Sequence, residues 1–578
     1  MADNYDDYSK EQLLRLLRER DRRPNFGLVW ERDEIDHDLS VNNDFVALDW
    51  DTNLSCGDGP QDNLIIEGDN FDALRTLRMT HAGRVKCIYI DPPYNTGKRD
   101  FIYNDRFIDK DDTYRHSKWL EFMYRRLELA KELLTEDGVI FVSIDDNEIF
   151  HLGVLMEQVF GLGNRVGVMV WNNVTDNNPT RIAVEHEYIV CYSLNIDSCA
   201  TPWKSAEHDI KDQMLELEAN LLRKGGTTEQ LQKTYSAWFK EHKSELPPLD
   251  NYKYFDLGGI YAGSRSVHNP GKEGYRYDVM HPETGKPCKH PLMGYRFPED
   301  TMSDLLKAKR ILFGDDHTKL IELKIYLRDY RRKLSSVVAL DGRAGPNELK
   351  EIFGDESKVF NNPKPIGLIQ ELLSFVTSPG DIILDFFAGS GTTAQAVMSL
   401  NKEDAGNRRF ILVSSTEATP ETPDKNLCRD VCAERVRRVI AGYTNKKGES
   451  VAGLGGGFAY LRCRRIPAAT VFRGIQQAQI WTALQLIHEV ALLPYQASLP
   501  MQIAQGKRGL VIYLPKINDA VLDALHTAIQ SVAQAVVYSW QPALLVQRLT
   551  DPRLAFEPIP AFLVNRFGAR STAKGGRP

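Results

Sequence analysis

The sequence predicts an α/β fold built on a doubly wound parallel sheet, drawn from two separated stretches of chain with an inserted domain between them and a small α/β domain after them. Three observations carry this. One short apolar strand ends in Asp91-Pro92-Pro93-Tyr94. Another runs into the glycine turn Asp385-Phe386-Phe387-Ala388-Gly389-Ser390-Gly391-Thr392. Each is followed by apolar residues at helical spacing and then by a further strand, the rhythm of a parallel βαβ unit.

Bulk properties bound the rest. At 578 residues the chain exceeds one ordinary core, and domains of roughly 100–200 residues imply three or four structural units. A hydrophobic content of 42% with 26% charged residues excludes a largely disordered chain. The formal charge of −7 gives no global attraction to nucleic acid, so any such contact rests on local basic surface. The start Met-Ala-Asp-Asn-Tyr-Asp-Asp is acidic where a signal peptide is basic, and no apolar run approaches the roughly 20 residues of a membrane span. A cytoplasmic protein without membrane contact is expected. Eight scattered cysteines with no CxxC pair point to reduced thiols, not to a zinc ribbon or a disulfide framework. His281, Cys288 and His290 cluster in sequence, but a fourth ligand is not evident and no metal is expected.

Taken in order, residues 1–59 read as an N-terminal arm, with Ser9 and Gln12 at capping-box positions of a short helix reaching Arg20. Residues 60–200 hold the first sheet segment. "NLIIEGDNFDALRTL" supplies a strand, a turn at Gly68-Asp69-Asn70 and a helix; Val85–Ile90 is a strand halted by two prolines. Trp119, Phe122, Met123, Leu127, Ala130 and Leu134 lie at helical spacing, and Val139–Ile144 is the next strand. From 201 to 355 the rhythm gives way to charge, Gly, Pro and Tyr, as expected of an inserted domain. It resumes over 356–460 with "DIILDFFAGSGTTAQAVMSL", a strand at Arg409–Val413 and a helix over Asn426–Ala441. Leu454-Gly455-Gly456-Gly457-Phe458 reads as a boundary. Beyond it, a helix over Gln476–Leu493, a strand at Gly509–Leu514, a helix over Asp519–Ala533 and a strand at Ala535–Trp540 make a C-terminal α/β domain, 461–578. The final "RSTAKGGRP" reads as a basic tail.

The two turns carry the chemistry. Small residues at Gly389, Ser390 and Gly391 let the backbone approach a nucleotide-like cofactor at a helix N-terminus. No Lys-Ser/Thr follows the glycines and the third glycine of GxGxxG is absent, so neither a Walker loop nor the dinucleotide fingerprint is present. Glu417 stands where a doubly wound fold presents a carboxylate to ribose, though an ordinary loop carboxylate fits as well. In the other turn, the Asp91 carboxylate and the Pro92 carbonyl are acceptors suited to a planar amino group. Tyr94 offers a face for stacking worth about 1–3 kcal/mol per base. A rigid turn after a strand is the plain alternative.

Asp91-Pro92-Pro93-Tyr94 resembles the catalytic DPPY of the DNA amino-methyltransferases, and Phe387-Ala388-Gly389-Ser390-Gly391 resembles their FxGxG loop. With DPPY first and an insertion between, the order resembles their β class. "EGDNFDALRTL", "IDPPYNTG", "VSIDDNE", "HEYIVCYS", "NPKPIGLIQELL", "DFFAGSGTTA" and "NLCRDVCAERVRRVI" occur in the order of the modification subunits of type III restriction–modification systems. The resemblance spans about 60–460 apart from much of the insertion. No motif of the family is found after 460.

That resemblance implies a Rossmann-like methyltransferase sheet and transfer of methyl from S-adenosyl-L-methionine to the exocyclic amino group of an adenine flipped from double-stranded DNA. Cytosine amino-methylation, RNA methylation or a non-catalytic DNA-binding scaffold are the alternatives; in the family DPPY goes with adenine and SPPY with cytosine. Asp91, Pro92, Pro93 and Tyr94 would hold the base, with Asn95 lining its pocket. Asp385, Phe387, Gly389, Ser390 and Gly391 would form the cofactor turn, and Glu417 would bind ribose, although "SST" before it is more polar than the family's lead-in. Lys364 and Pro365 would pack over the methionine end of the cofactor, and Asp69 would lie near it; a surface turn and a helix N-cap are the plain readings of Lys364 and Asp69. The insertion interleaves basic side chains with aromatics and reads as a target-recognition domain, with Arg276 and Arg296 binding DNA among Arg265, His268, Tyr277, Arg310, Arg328, Arg331, Arg332 and Lys333; a solvated charged surface is the plain reading of any single one. A homodimer and an ATP-dependent restriction subunit are the implied partners.

Overall fold

Strands that are apolar along almost their whole length need cover on both faces, and the sheet is built on such strands. The structure is a computed structural model, and it describes residues 9–10, 30, 42–58, 61–103, 106–173, 181–201, 203, 209–243, 246, 249–269, 273–330, 333–354, 360–419, 422–530 and 532–568. The helix expected from Ser9 to Arg20 lies outside these beyond its first two residues, as does the basic tail.

Among the described residues the main sheet has ten strands: β1 (Phe45–Cys56), β2 (Leu64–Glu67), β3 (Val85–Ile90), β4 (Leu134–Ile144), β5 (Arg165–Asn172), β6 (His186–Ser193), β7 (Val337–Ala339), β8 (Ile382–Asp385), β9 (Arg409–Ser414) and β10 (Phe458–Ile466). Their spatial order is β1-β10-β2-β9-β8-β3-β4-β6-β5-β7. From β10 through β4 every pairing is parallel; β6 runs antiparallel to both neighbours, and β1 closes the other side antiparallel to β10. Among the helices are α1 (Asn70–His81), α2 (Arg115–Leu133), α3 (Ile149–Phe160), α4 (Ile366–Val376), α5 (Thr392–Asp404) and α6 (Glu434–Ala441). Trp119, Met123 and Leu127 of α2 bury themselves with Ile88, Ile140 and Leu384 of the sheet in one apolar core.

The winding fixes where chemistry can sit. From β8 the chain passes through α5 to β9 on one side; from β3 it passes through α2 to β4 on the other. β8 and β3 are parallel neighbours, with Ile383 opposite Cys87 and Leu384 opposite Ile88. Their carboxyl ends therefore release the two turns side by side at the point where the winding reverses, which is where open α/β sheets bind ligands.

The structure moves several expected boundaries. The inserted unit is Trp203–Leu334, not 201–355, because β7 at Val337–Ala339 pairs in parallel with β5. β1, assigned from sequence to the N-terminal arm, is a strand of the sheet, and β10 runs through the expected break at 460 to pair with both β1 and β2. Beyond it a separate four-stranded sheet is formed by Gln502–Gly506, Gly509–Leu514, Ala535–Ser539 and Leu554–Pro558, in that order. The helices flanking it are shorter than the periodicity predicts, Gln477–Ile487 and Asp519–Ala528. The first stops because His488 and Glu489 turn the chain, Glu489 at φ 57°, so that Leu492 bridges back to Gln61.

The inserted unit has its own architecture. Helices Asp209–Lys224 and Thr228–Glu241 accompany a four-stranded sheet ordered Ile311–Leu312, Glu322–Tyr326, Gly259–Ser266, Tyr254–Asp256. The second helix starts from a full capping box between Thr227 and Gln230. One apolar cluster centres on Met214, Tyr235 and Phe255, another on Val267, Tyr295 and Met302.

Candidate active site

The turn after β3 is held from three sides. Trp119, wholly buried on α2, donates its indole N–H to the Pro93 carbonyl at 2.7 Å. Lys364, which the sequence places just before α4, is only 8% exposed, so the surface-turn reading of it is overturned. Its Nζ lies 2.8 and 2.9 Å from the two Asp91 oxygens and 3.3 Å from Glu187 Oε2. The ammonium also stands 4.9 Å from the centre of the Tyr94 ring. Tyr94 Oη is 2.8 Å from Asp91 Oδ1 and 2.8 Å from Glu187 Oε2. Asn173 Nδ2 donates to the other Glu187 oxygen at 2.8 Å. Burial alone would lower the Lys364 pKa, but Asp91 and Glu187 outweigh it and hold the ammonium above its ordinary value. Burial, then the same two carboxylates, pushes the Tyr94 phenol well up. Pro365 is the buried cap residue of α4.

Asn95, next in the turn, is tied to the protein interior. It is wholly buried at φ 56°, with Nδ2 donating to Glu148 Oε1 at 2.5 Å and to the Arg115 carbonyl at 3.3 Å. Its Nδ2 thus props the turn from inside the protein, while its Oδ1 is buried without a hydrogen-bond partner among the described residues. Glu148 is the hub of that prop, also bonded by His116 Nδ1 at 2.6 Å and His151 Nδ1 at 2.8 Å. Burial raises its pKa to about 7, against the bonds from Asn95 and His151. Arg115 Nε donates to His116 Nε2 at 3.1 Å, which leaves the His116 proton on Nδ1, facing Glu148. The sequence cluster at 281–290 is otherwise engaged: His281 bonds the Gly314 carbonyl and the amides of Glu283 and Thr284, and His290 bonds Asp278.

On the other side, Asp385 closes β8 with Oδ1 accepting from the Phe387 amide at 3.0 Å and Oδ2 from Thr393 Oγ1 at 2.6 Å. Gly389 and Gly391 adopt φ 51° and 79°. A Cβ on Gly389 would come 2.9 Å from the Phe360 ring, and one on Gly391 3.1 Å from the Cys432 carbonyl. The turn is a backbone cradle that only glycine leaves open. Arg435, fully buried on α6, clamps it by donating to Ser390 Oγ at 3.0 Å, Thr392 Oγ1 at 2.7 Å and Gln395 Oε1 at 2.9 Å. Asn70 Nδ2 donates to the Phe386 carbonyl at 3.2 Å, tying α1 to the same turn. Phe387 stacks obliquely on Phe122, ring centres 6.0 Å apart.

Asp69 is the N-cap of α1, accepting from the amides of Phe71 and Asp72, with Arg126 3.4 Å from its other oxygen. Glu417 lies in the loop after β9 at φ 51°, 41% exposed and paired with Lys425 at 2.8 Å. Arg276 and Arg296 belong to the inserted unit, both exposed; Arg276 lies 3.5 Å from Glu273 and Arg296 over the Phe297 ring. The site residues that sequence reasoning passed over are Glu187, Asn173, Glu148 and Arg435. For Glu187 a faint signal exists, a polar His-Glu pair opening the strand "HEYIVCYS".

Burial raises the Asp385 carboxyl to about 7, against the bonds from Thr393 and Phe387. An acid whose folded pKa lies above its unfolded value destabilises the fold as pH rises from about 4 and does so fully above about 7. Asp385→Asn is therefore expected to stabilise the free protein at pH 8, by at most about 4 kcal/mol, and to make no difference at pH 4. Urea unfolding at the two pH values measures this, and an equal effect at both refutes it.

The family model described as DNA methylase matches residues 85–419. The Mod subunit of the type III restriction-modification enzyme EcoP15I of Escherichia coli is 49% identical over 404 residues, 65% of this chain and 63% of that one. The StyLTI Mod subunit of Salmonella typhimurium is 31% identical over 413 residues, 66% and 57% of the two chains. The type II methyltransferase M.KpnI of Klebsiella pneumoniae is 29% identical over 394 residues, 64% and 84%. The chain thus spans about three fifths of the length of the two Mod subunits. The solved structures of the cytosine-N4-specific PvuII DNA methyltransferase and of an M1.HpyAVI–SAM complex align with TM-scores of 0.31 and 0.27 at 10% and 15% identity, covering 69% and 63% of this chain and 98% and 97% of theirs. Among the described residues no helix is long and apolar enough to cross a membrane.

Proposed function

Because the chain belongs to the DNA methylase family, whose model spans more than half of it, we propose that it methylates the exocyclic amino group of an adenine flipped out of double-stranded DNA, with S-adenosyl-L-methionine as methyl donor. The observation that carries this reading is the adjacency of β3 and β8, which sets the Asp91–Tyr94 turn beside the glycine cradle. That cradle fits the cofactor: backbone without side chains at Gly389 and Gly391, held from inside by Asp385, with the partly exposed carboxylates of Asp69 and Glu417 on neighbouring turns to meet its cationic and hydroxyl groups. When bound, it supplies a methyl on an activated sulfonium.

The protein's part is positioning. Asp91 and the Pro92 carbonyl accept the two amino hydrogens and so aim the nitrogen lone pair. The Tyr94 ring carries the base, offsetting part of a flipping cost of a few kcal/mol. In the free protein the Lys364 ammonium occupies both Asp91 oxygens and the face of Tyr94, the positions an amino base needs. The arriving base displaces it, with Glu187 at hand as its alternative partner. Incubation with labelled S-adenosylmethionine and duplex DNA, followed by nucleoside mass spectrometry, is expected to yield N6-methyladenine. N4-methylcytosine would move the target to cytosine, and an unlabelled duplex would reduce the chain to a binding scaffold.

In this reading the protein works in the cytoplasm as a homodimer, as the modification component of a restriction–modification or phage-defence system, with an ATP-dependent restriction subunit as partner. The inserted unit reads the DNA sequence through basic and aromatic side chains, Arg276 and Arg296 among them. Exchanging residues 203–334 for the matching segment of a relative is expected to change the methylated sequence, as scored by single-molecule sequencing. Unchanged specificity would sink this assignment.

A further inference from the structure

One phenol hydroxyl faces two carboxylates. Tyr94 Oη lies 2.8 Å from Asp91 Oδ1 and 2.8 Å from Glu187 Oε2, yet a phenol has a single proton to donate. Lys364 neutralises one of the two negative charges, and Asn173 fixes the outer Glu187 oxygen. The cluster therefore sets one ammonium against two carboxyl groups, with a phenol proton placed between them along an Asp–Tyr–Glu line. Its far end is open, since the Glu187 side chain is 22% exposed. Its near end, Asp91, is 27% exposed here and is covered once a base lies on it.

We propose that Asp91, Tyr94 and Glu187 form a relay that carries the proton released by the methylated amine to solvent. The inference rests on the amino-methylation reading. As the amino nitrogen takes the methyl with its lone pair, the old carbon–sulfur bond leaves its electron pair on sulfur. The nitrogen then loses a proton to Asp91, and the N–H pair returns to nitrogen. Asp91 passes a proton to Tyr94 Oη while the original phenol proton moves to Glu187 Oε2, and Glu187 yields it to water. Tyr94 stays neutral throughout, because burial and both carboxylates oppose a phenolate. Lys364 is excluded as acceptor, since its carboxylate neighbours keep it protonated.

The rival role for Glu187 is to anchor Lys364, and a double-mutant cycle separates the two. Glu187→Gln keeps the shape but ends proton uptake; Tyr94→Phe keeps the stacking ring but breaks the line. Each is expected to slow single-turnover methyl transfer by about ten- to a hundredfold. The double variant is expected to be no slower than the slower single one, because both cut one path. Equilibrium binding of S-adenosylmethionine and the unfolding midpoint are expected to stay within about twofold and 2 °C of the parent, and transfer is read at saturating duplex because Glu187→Gln removes the partner that Lys364 turns to when a base displaces it. A wild-type rate in Glu187→Gln, multiplicative losses in the double variant, or a loss explained by weaker binding overturns the relay. A parent protein that transfers no methyl to any base, while still binding cofactor, overturns the amino-methylation reading beneath it.

Discussion

Asp91→Ala is expected to lower single-turnover methyl transfer at least about a thousandfold while changing the affinity for S-adenosylmethionine by less than about threefold. The size follows from what is lost. Asp91 is the acceptor that orients the amino nitrogen, and groups that position and polarise the reacting atoms are each worth roughly a hundred- to a thousandfold. Removing it also strips the first step of any proton path. The fold has reason to survive, because Lys364 keeps Glu187 at 3.3 Å and is not left as an uncompensated buried charge. Cofactor affinity is spared because the glycine turn is secured by its own bonds, from Asp385, Arg435 and Asn70, none of which involves Asp91. Calorimetric titration of the cofactor beside a labelled-methyl assay measures both quantities. An Asp91→Ala protein that still methylates DNA would refute the role given to this turn.

What sequence could say about this site depended on whether the information was local. The strand at Val85–Ile90, its arrest by two prolines and the glycine turn after Ile382–Asp385 are each written in a few consecutive residues, and the structure has those elements there. The parallel heart of the sheet follows from them. The strands added at its margins do not, because whether Phe45–Cys56 or Phe458–Ile466 joins a sheet depends on a partner distant in sequence. Glycines 455–457 looked like a boundary for the same reason: flexibility is local, pairing is not. The inserted domain was overextended past Leu334 because Val337–Ala339 is too short to show a period. In the site, the residues missed are those recruited across the fold. Glu187 reaches Tyr94 from β6, and Arg435 reaches Ser390 from α6. The resemblance puts Asn95 at the base pocket, and what it does not say is that the left-handed backbone there carries Nδ2 to Glu148. A motif locates a turn; it does not say which way each side chain of the turn points.

Gly391→Val tests the other half of the site and should give the opposite pattern. Gly391 opens α5 at φ 79° and ψ 23°, a region where a β-branched residue is strained by about 1–3 kcal/mol. Its Cβ would meet the Cys432 carbonyl at 3.1 Å, Cys432 Sγ at 3.2 Å and Val436 at 3.4 Å, in the helical stretch Cys428–Ala433 and the start of α6, where Cys432, Val436 and Arg435 are wholly buried and leave no room to retreat. The turn must move instead, and the Ser390 and Thr392 hydroxyls held by Arg435 move with it. Cofactor affinity is expected to fall on the order of a hundredfold, equivalent to about 2.7 kcal/mol, with alanine at the same position costing about tenfold. Affinity for duplex DNA, read by fluorescence anisotropy, is expected to change by less than about twofold, because Asp91, Tyr94 and Lys364 are anchored without this turn. Ordinary cofactor binding in Gly391→Val would remove the cradle from the cofactor site. Loss of transfer with binding kept in one variant, and loss of binding with the base turn intact in the other, is the outcome required if two adjacent strands divide the donor and the acceptor between them.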